Sequence, residues 1–128
     1  MRLLIDTHGF LFYVSGDPQL TRRARTAIED RTNDRFFSMA SVWETAIKDS
    51  LGKLNLMRPF TEIFPHWLTA NGIQILDIHL DHLVALRTLP HHHHDPFDRL
   101  IVAQTFTEGL ALVSGDAMLD RYGVTRLW

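Results

Sequence analysis

The sequence predicts an α/β protein in which helices cover both faces of a parallel β-sheet. Short apolar runs alternate along the chain with longer segments of helical periodicity. Strands that are separated by helices pair in parallel through right-handed crossovers. The chain of 128 residues is long enough to bury the core of one domain, and it has no repeat or linker-like segment. We therefore predict a single domain over residues 1–128, built on a central five-stranded parallel sheet.

Apolar runs and helix signals define the elements of the first half of the chain. A Gly-Asp-Pro turn separates the first two helices, and Thr21 is a suitable N-cap for the second. Ser41 opens a third helix, which a glycine ends. An apolar stripe that includes Phe64 and Trp67 predicts a fourth helix. The predicted elements are a strand at 2–5, helices at 7–14 and 22–31, a strand at 35–38, and helices at 41–51 and 59–70.

In the second half of the chain, proline and glycine mark the ends of the longest helix. Pro96 takes its first position, Asp95 is its N-cap and Gly109 lies just past its end. The apolar runs on either side have the length of strands. The predicted elements are a strand at 73–78, helices at 81–89 and 96–108, a strand at 111–113, one or two helical turns at 117–121 and a strand at 124–128.

Composition limits the chemistry and the partners. The formal net charge is -2 and the sequence pI is near 6.4, so nucleic acid has to be held by a local patch or through a metal ion. The chain has no cysteine, which excludes disulfides and thiolate chemistry. No stretch approaches the ~20 apolar residues of a membrane span, and Asp6 interrupts the first apolar run. We expect a cytoplasmic protein with no membrane segment.

Four acidic residues lie where a parallel sheet places its ligands. Asp6 and Asp116 follow predicted strands, and Glu44 and Asp98 lie near the starts of helices. The carboxyl ends of parallel strands meet at one edge of the sheet, so these side chains are expected to converge there. Clustered carboxylates require a cation. Hard oxygen ligands without cysteine favour Mg²⁺ or Mn²⁺ over zinc.

Each of the four acids also has a purely structural interpretation. Asp6 is a good N-cap for the helix that follows it. Glu44 lies three residues after Ser41, so this pair matches a capping box. Asp98 lies in the first turn of its helix, where an acid suits the helix dipole, and Asp116 suits a turn. Position alone leaves the structural and the catalytic interpretation open for every one of them.

Four sequence blocks resemble a known family. LLIDTH, SVWETAIK followed by LGKL, HHDPFDRLIVAQ and ALVSGD are similar to blocks of the PIN-domain ribonucleases, in particular the VapC-type toxins of toxin–antitoxin pairs, and they occur in the family order. The resemblance covers residues 1–128. It implies a sheet in the order 3-2-1-4-5 with acids at its carboxyl edge. It also implies metal-dependent endoribonuclease activity on RNA, a cognate antitoxin and a homodimer.

The resemblance places the family's acids on the same four residues. We interpret Asp6 and Asp98 as the main ligands of Mg²⁺ or Mn²⁺. Glu44 holds a second ion or acts as a general base that orients the attacking water, and Asp116 completes the negative pocket. All four are therefore predicted as catalytic and metal-binding residues.

Hydroxyl residues and a few departures accompany these acids. Thr7 and Ser114 match family positions whose hydroxyls order water near the metal or contact a phosphate. Gly9 stands where the first helix usually carries a larger apolar residue, Thr45 replaces an isoleucine, and His94 stands where an arginine often precedes DPFD. None of these departures removes a carboxylate.

Three further features have structural interpretations as well as functional ones. The run His91–His94 suits an exposed loop that contacts RNA or responds to pH, rather than a zinc site. Lys48 lies four residues after Glu44, which favours an ion pair, with a phosphate contact as the alternative. The apolar stripe at 60–68 is either core or part of an antitoxin groove. Five arginines form either a solvated face or an RNA contact: Arg22, Arg23, Arg25, Arg31 and Arg35.

Two other functions remain open at this stage. A receiver-type phosphoacceptor domain also gathers acids around Mg²⁺ at a parallel sheet, but it needs a lysine after its last strand, which the final TRLW lacks. A catalytically silent binding module with the same fold is the second alternative. Retention of all four acids argues against it.

Overall fold

The structure, a computed structural model, describes residues 1–128 and confirms the predicted α/β fold. One five-stranded sheet has the order β3-β2-β1-β4-β5, and every pair of neighbouring strands is parallel. Leu4 of the central strand lies between Phe36 and Leu112. The strands are β1 (Arg2–Ile5), β2 (Asp34–Ser38), β3 (Ile73–Leu76), β4 (Ala111–Val113) and β5 (Arg126–Leu127).

This sheet order excludes the receiver alternative. Doubly wound folds of the flavodoxin type, to which receiver domains belong, have the order 2-1-3-4-5. Here the chain proceeds outward from β1 through β2 to β3 on one side, and then from β4 to β5 on the other. The sheet order implied by the resemblance is therefore confirmed.

Six α-helices and two other helical segments connect the strands. The helices are α1 (Thr7–Ser15), α2 (Arg22–Glu29), α3 (Met39–Ser50), α4 (Leu68–Ala70), α5 (Leu80–Leu86) and α6 (Pro96–Glu108). A π-helical segment (Glu62–Trp67) precedes α4, and a 3₁₀ helix (Ala117–Tyr122) follows β4. None of these helices is long and apolar enough to cross a membrane.

The core lies on both faces of the sheet because side chains alternate along each strand. On β1, Leu3 and Ile5 belong to one buried cluster, which includes Phe10 and Phe37. Leu4 points to the other face and joins a smaller cluster with residues such as Ile101. The pattern of a central strand buried on both faces explains why β1 is a continuous apolar run.

The helix ends contain the predicted caps, with one exception. Thr21 Oγ1 accepts a hydrogen bond of 3.1 Å from the backbone N of Ala24. Gly109 ends α6 in the left-handed conformation with a φ of 66°. The predicted start of α3 at Ser41 is wrong, because Ser38 is its N-cap and accepts from the backbone N of Ala40 at 3.0 Å. Four elements are shorter than predicted, namely α2, β3, α5 and β5.

The predicted helix at 59–70 is interrupted. Phe64 has an extended conformation, with φ −114° and ψ 112°, and divides the segment. Pro65 explains the break, because a residue that precedes proline is pushed out of the helical region. Phe64 and Leu68 are buried in the core, and Trp67 packs on Phe10 at 5.8 Å between ring centroids. The buried side chains of the stripe are therefore core, and only the half-buried Phe60 and Trp67 leave apolar surface for an antitoxin groove.

Candidate active site

The four predicted acids come from four different parts of the fold. Asp6 follows β1, and Asp116 follows β4 by way of a short turn. Glu44 lies on α3, which leaves the end of β2, and Asp98 lies in the first turn of α6. Because β1, β2 and β4 are parallel, the elements that follow them leave from the same edge of the sheet.

Asp6 is both an N-cap and a buried acid. Its Oδ1 accepts a hydrogen bond of 2.6 Å from the backbone N of Gly9, so the capping interpretation is confirmed. A Cβ at Gly9 would lie 2.8 Å from this oxygen, which explains the glycine where a larger residue is usual. Burial raises the pKa of Asp6 above its ordinary value, while Ser114, the Gly9 N–H and His8 lower it.

Glu44 is held by two neighbours in the same region. The Thr7 hydroxyl donates to Oε1 at 2.6 Å, and Lys48 Nζ lies 3.0 Å from Oε2. The carboxylate is only 5% exposed. The capping box with Ser41 is wrong, because Ser41 lies inside α3 and its buried Oγ has no hydrogen-bond partner. The ion pair with Lys48 is confirmed, and Thr7 orients the carboxylate.

Asp98 is a second acid of the site whose pKa is raised. Burial and the nearby charge of Asp95 raise its pKa from 3.8 to about 7, with further contributions from Glu44 and Asp6, while His93 lowers it. Asp95 is the N-cap of α6, as predicted, and accepts from the backbone N of Asp98 at 3.3 Å. The crowded carboxylates therefore hold a proton near neutral pH unless a cation compensates their charge.

Asp116 lies at the start of the 3₁₀ helix (Ala117–Tyr122), where it is the N-cap. Its Oδ1 accepts from the backbone N of Met118 at 3.0 Å, and its own backbone N donates to Ser114 Oγ at 3.1 Å. The other carboxylate oxygen, Oδ2, lies 2.9 Å from Nε2 of His93. The turn interpretation of Asp116 and its place in the acid pocket are therefore compatible.

His93 is a member of the site that the sequence reasoning missed. The run His91–His94 was predicted to be an exposed loop, but the His93 side chain is only 16% exposed and its Nε2 also lies 3.5 Å from Asp98 Oδ2. Its backbone N donates to the Tyr122 hydroxyl at 2.9 Å. The one available signal was position, because His93 lies two residues before the cap of the helix that carries Asp98.

The ring of His93 has a defined tautomer. Nδ1 accepts a hydrogen bond of 3.0 Å from the backbone N of Asp95. A neutral imidazole that accepts through Nδ1 carries its proton on Nε2, so His93 donates to Asp116. His93 therefore supplies a hydrogen-bond donor to the carboxylates in this arrangement.

His93, Asp98 and Asp116 form a potential metal cluster, because one ligand atom from each lies within 4.8 Å of the others. Asp6 and Glu44 are not members of this cluster, although their charges contribute to the raised pKa of Asp98. The set is rich in carboxylate oxygens, and the pKa of Asp98 is raised by burial and by the charges of neighbouring acids. Both observations fit a hard divalent cation.

A second group of potential ligands has a structural role. His82 is fully buried, and its Nδ1 accepts from the backbone N of His79 at 3.0 Å. Its protonated Nε2 lies 2.7 Å from Glu108 Oε1 and links α5 to the end of α6. The ring nitrogens of His82 are thus both occupied by protein partners.

The predicted arginine face is only partly a surface. Arg35 is 5% exposed and donates through Nη1 to the carbonyl of Ile28 at 2.7 Å. Arg25 Nη1 lies 3.8 Å from Glu29 Oε1 on the surface of α2. Arg35 is therefore structural and is not available for RNA.

Residues 3–124 match the model of the PIN domain family, so this chain belongs to that family. No curated protein matches the sequence. Among solved structures, the chain is similar to the crystal structure of VapBC2 from Rickettsia felis bound to a DNA fragment from their promoter. The TM-score is 0.72 at 13% identity, and the match covers 98% of this chain and 97% of that chain. At this level of sequence identity, the similarity shows a shared fold alone.

Proposed function

We propose that residues 1–128 act as one nuclease domain, a metal-dependent endoribonuclease toxin of VapC type that works in the cytoplasm and is neutralised by a cognate antitoxin. The observation that carries the proposal is the convergence of Asp98, Asp116 and His93 beside Asp6 and Glu44 in a PIN-family chain. Buried carboxylates that lie close together destabilise the fold unless a cation compensates their charge. This favours a cation-binding role for the pocket over a purely structural one.

The residues suited to hold Mg²⁺ or Mn²⁺ are the acids of this pocket. We propose that Asp98 and Asp116 hold the ion together with Asp6, with Glu44 on the substrate side. A bound ion of this kind supplies electrostatic stabilisation for the charge that develops on the phosphate oxygens. Mg²⁺ usually keeps several water ligands, so the protein need not provide a complete cage.

We propose that Glu44 acts as the general base of the reaction. The Thr7 hydroxyl and Lys48 bind its two oxygens, which restricts the rotation of the carboxylate. A fixed carboxylate can accept the proton of an attacking water molecule while the scissile phosphate lies among the other acids. His93 provides a donor near Asp116 and positions this side chain.

Cleavage of cellular RNA tests the proposed reaction. Purified protein is expected to cleave total RNA with Mg²⁺ or Mn²⁺, to lose activity in EDTA and to regain it when the ion is restored. Asp6→Asn is expected to be inactive, whereas Asp49→Asn, at an exposed acid on α3, is the matched control and stays active. Sequencing the RNA ends after induction identifies the cleavage site. Full activity in EDTA, or in Asp6→Asn, contradicts the mechanism.

We propose that the antitoxin binds beside the acid pocket rather than on the buried stripe. An apolar groove of about 200 Å³ lies between α1 and the segment 54–57, and its lining includes Leu11, Leu56 and Met57. His8 and Phe12 line both this groove and the cavity that contains Asp6 and Asp116. An apolar segment in the groove can therefore bring an Arg or Lys side chain to the acids.

We propose that a second copy of the chain covers the apolar side chains of α3 and α5. Trp43 is 58% exposed, and Ile47 lies four residues further along the same face of α3. Leu80 and Val84 are exposed on α5, and both helices pack against α6. Large exposed apolar side chains favour a protein partner, and a second copy of the chain is such a partner.

A further inference from the structure

A cavity of about 490 Å³ opens next to the carboxylates. It is lined by Asp6 and Asp116, and by the aromatic rings of Trp128, Phe12 and His8. Its volume falls within the range of ~300–1,000 Å³ that is typical of small-ligand pockets. One cavity therefore combines acids that can bind a cation with the rings of Trp128 and Phe12, which cannot coordinate a metal ion.

Two glycines leave room for the ring of Trp128. A Cβ at Gly115 would lie 2.9–3.2 Å from three atoms of the indole, so the ring lies directly against this glycine. A Cβ at Gly9 would lie 3.5 Å from Trp128 Cζ3. The indole is half-buried and its centroid lies 6.4 Å from that of Phe12. The ring is thus held against the backbone of two elements that also carry Asp6 and Asp116.

We propose that Trp128, Phe12 and His8, here called the aromatic wall, bind a nucleobase that neighbours the scissile phosphate. This inference rests on the proposed nuclease function and extends it to the substrate, which is single-stranded RNA with an unpaired base at this position. Aromatic side chains stack on unpaired bases, whereas the bases of a duplex are already stacked on one another. Gln19 lines the same cavity, and its exposed amide offers a donor and an acceptor to the edge of the base.

Steady-state kinetics test the aromatic wall in a protein that cleaves RNA. With a pool of short single-stranded RNAs, Trp128→Leu is expected to raise KM about tenfold and to leave kcat nearly unchanged, because stacking contributes to binding. Trp128→Phe keeps a ring and is expected to restore most of the binding. Phe106→Leu is the matched control, at an exposed ring that lines a cavity beside Gly109 at the opposite edge of the sheet. An unchanged KM in a folded Trp128→Leu overturns the inference and leaves the nuclease function intact.

Fluorescence tests the same site without any cleavage. In the double variant Trp43→Phe/Trp67→Phe, Trp128 is the sole tryptophan. Nucleoside 5′-monophosphates with Mg²⁺ are expected to quench it at millimolar concentrations, whereas ribose 5-phosphate, which has no base, is not. This measurement decides the inference even if Trp128→Leu fails to fold or if the wild type cleaves no RNA. Quenching without RNA cleavage supports the base site while the nuclease function fails, and absence of quenching by all four nucleotides overturns the base site.

Discussion

At the scale of single residues, Asp98 links the metal site to stability. Its pKa of about 7 in the folded chain exceeds the ordinary value of 3.8, so the folded state binds more protons than the unfolded state between these two pH values. Stability then falls as the pH rises through that window in the absence of metal, and the destabilisation is complete above pH 7. A bound cation reverses this effect, because it favours the ionised carboxylate.

Asp98→Asn is therefore expected to stabilise the metal-free protein at pH 8. The gain should be about 2 kcal/mol, which is less than the full pKa shift implies because the carboxyl group is partly exposed. At pH 4 the wild type and the variant should unfold at similar urea concentrations. Urea unfolding in EDTA at both pH values measures the effect, with Asp49→Asn as the control for a general loss of negative charge. If the stability of Asp98→Asn and that of the wild type depend on pH in the same way, the raised pKa does not belong to Asp98.

Glu44→Gln separates a catalytic from a structural role for Glu44. The glutamine keeps an acceptor for the Thr7 hydroxyl but loses the charge that pairs with Lys48. The free energy of unfolding should change by less than ~1 kcal/mol, because Lys48 is partly exposed and can be solvated. RNA cleavage should fall by at least ~100-fold, as expected for the loss of a general base.

Lys48→Met is the matched control for Glu44→Gln, because it removes the same ion pair and keeps the Glu44 carboxylate. If Lys48 serves only as the partner of Glu44, this variant retains much more activity than Glu44→Gln. Near wild-type cleavage by Glu44→Gln would leave Glu44 with a structural role alone.

At the scale of elements, α3 has two faces with different tasks. One face carries Glu44 and Ser41 into the interior, and the other exposes Trp43 and Ile47. The exposed face is apolar in a chain that otherwise has ordinary hydropathy, with a mean of -0.07. A single helix therefore carries both the proposed catalytic acid and part of the proposed subunit interface.

Ile47→Glu is expected to convert a dimer into a monomer, because it places a charge within the proposed apolar interface of α3 and α5. Light scattering of the wild type and the variant at micromolar concentrations measures the mass directly. Phe106→Glu is the matched control, as an exposed apolar residue on α6. A monomeric wild type contradicts the homodimer, and a dimer that survives Ile47→Glu but not Phe106→Glu has its interface elsewhere.

At the scale of the whole molecule, the acid pocket is expected to couple the metal ion to the antitoxin. A basic side chain of the antitoxin and a divalent cation would occupy the same carboxylates, so each lowers the affinity for the other. Neutralisation then removes the cation and blocks the aromatic wall in a single binding event.

The affinity of the antitoxin should therefore fall as Mg²⁺ or Mn²⁺ rises. A small protein encoded next to this chain would be the candidate antitoxin, and its co-expression should restore growth. Calorimetric titration across metal concentrations measures the competition. Asp116→Asn should remove the metal dependence, while Met57→Glu, at an exposed groove residue, should weaken the complex without loss of RNA cleavage. Affinity that is independent of the metal contradicts the shared site.

Local signals in the sequence determined the elements and their approximate ends. Helix α6 was predicted at its observed bounds, because Asp95, Pro96 and Gly109 act through the backbone of their own turns. The apolar residues 3–5 identified the first strand, since burial on both faces leaves no polar position among them. Pro65 was an available signal for the break at Phe64. The prediction of one continuous helix followed instead from the apolar stripe, because the buried residues of this segment are spaced like one face of a helix.

Only the tertiary structure decided how the site is assembled. His93 and Asp116 are 23 residues apart in the chain and meet through Nε2 and Oδ2, which no local pattern encodes. The pKa of Asp98 depends on burial and on the charges of Glu44 and Asp6, which are properties of long-range packing, as well as on the neighbouring charges of Asp95 and His93. The sequence by itself placed four acids after or at the start of core elements, because parallel pairing brings such positions to one edge of a sheet. Distances, tautomer and acidity at that edge follow from contacts that form only when the whole chain has folded.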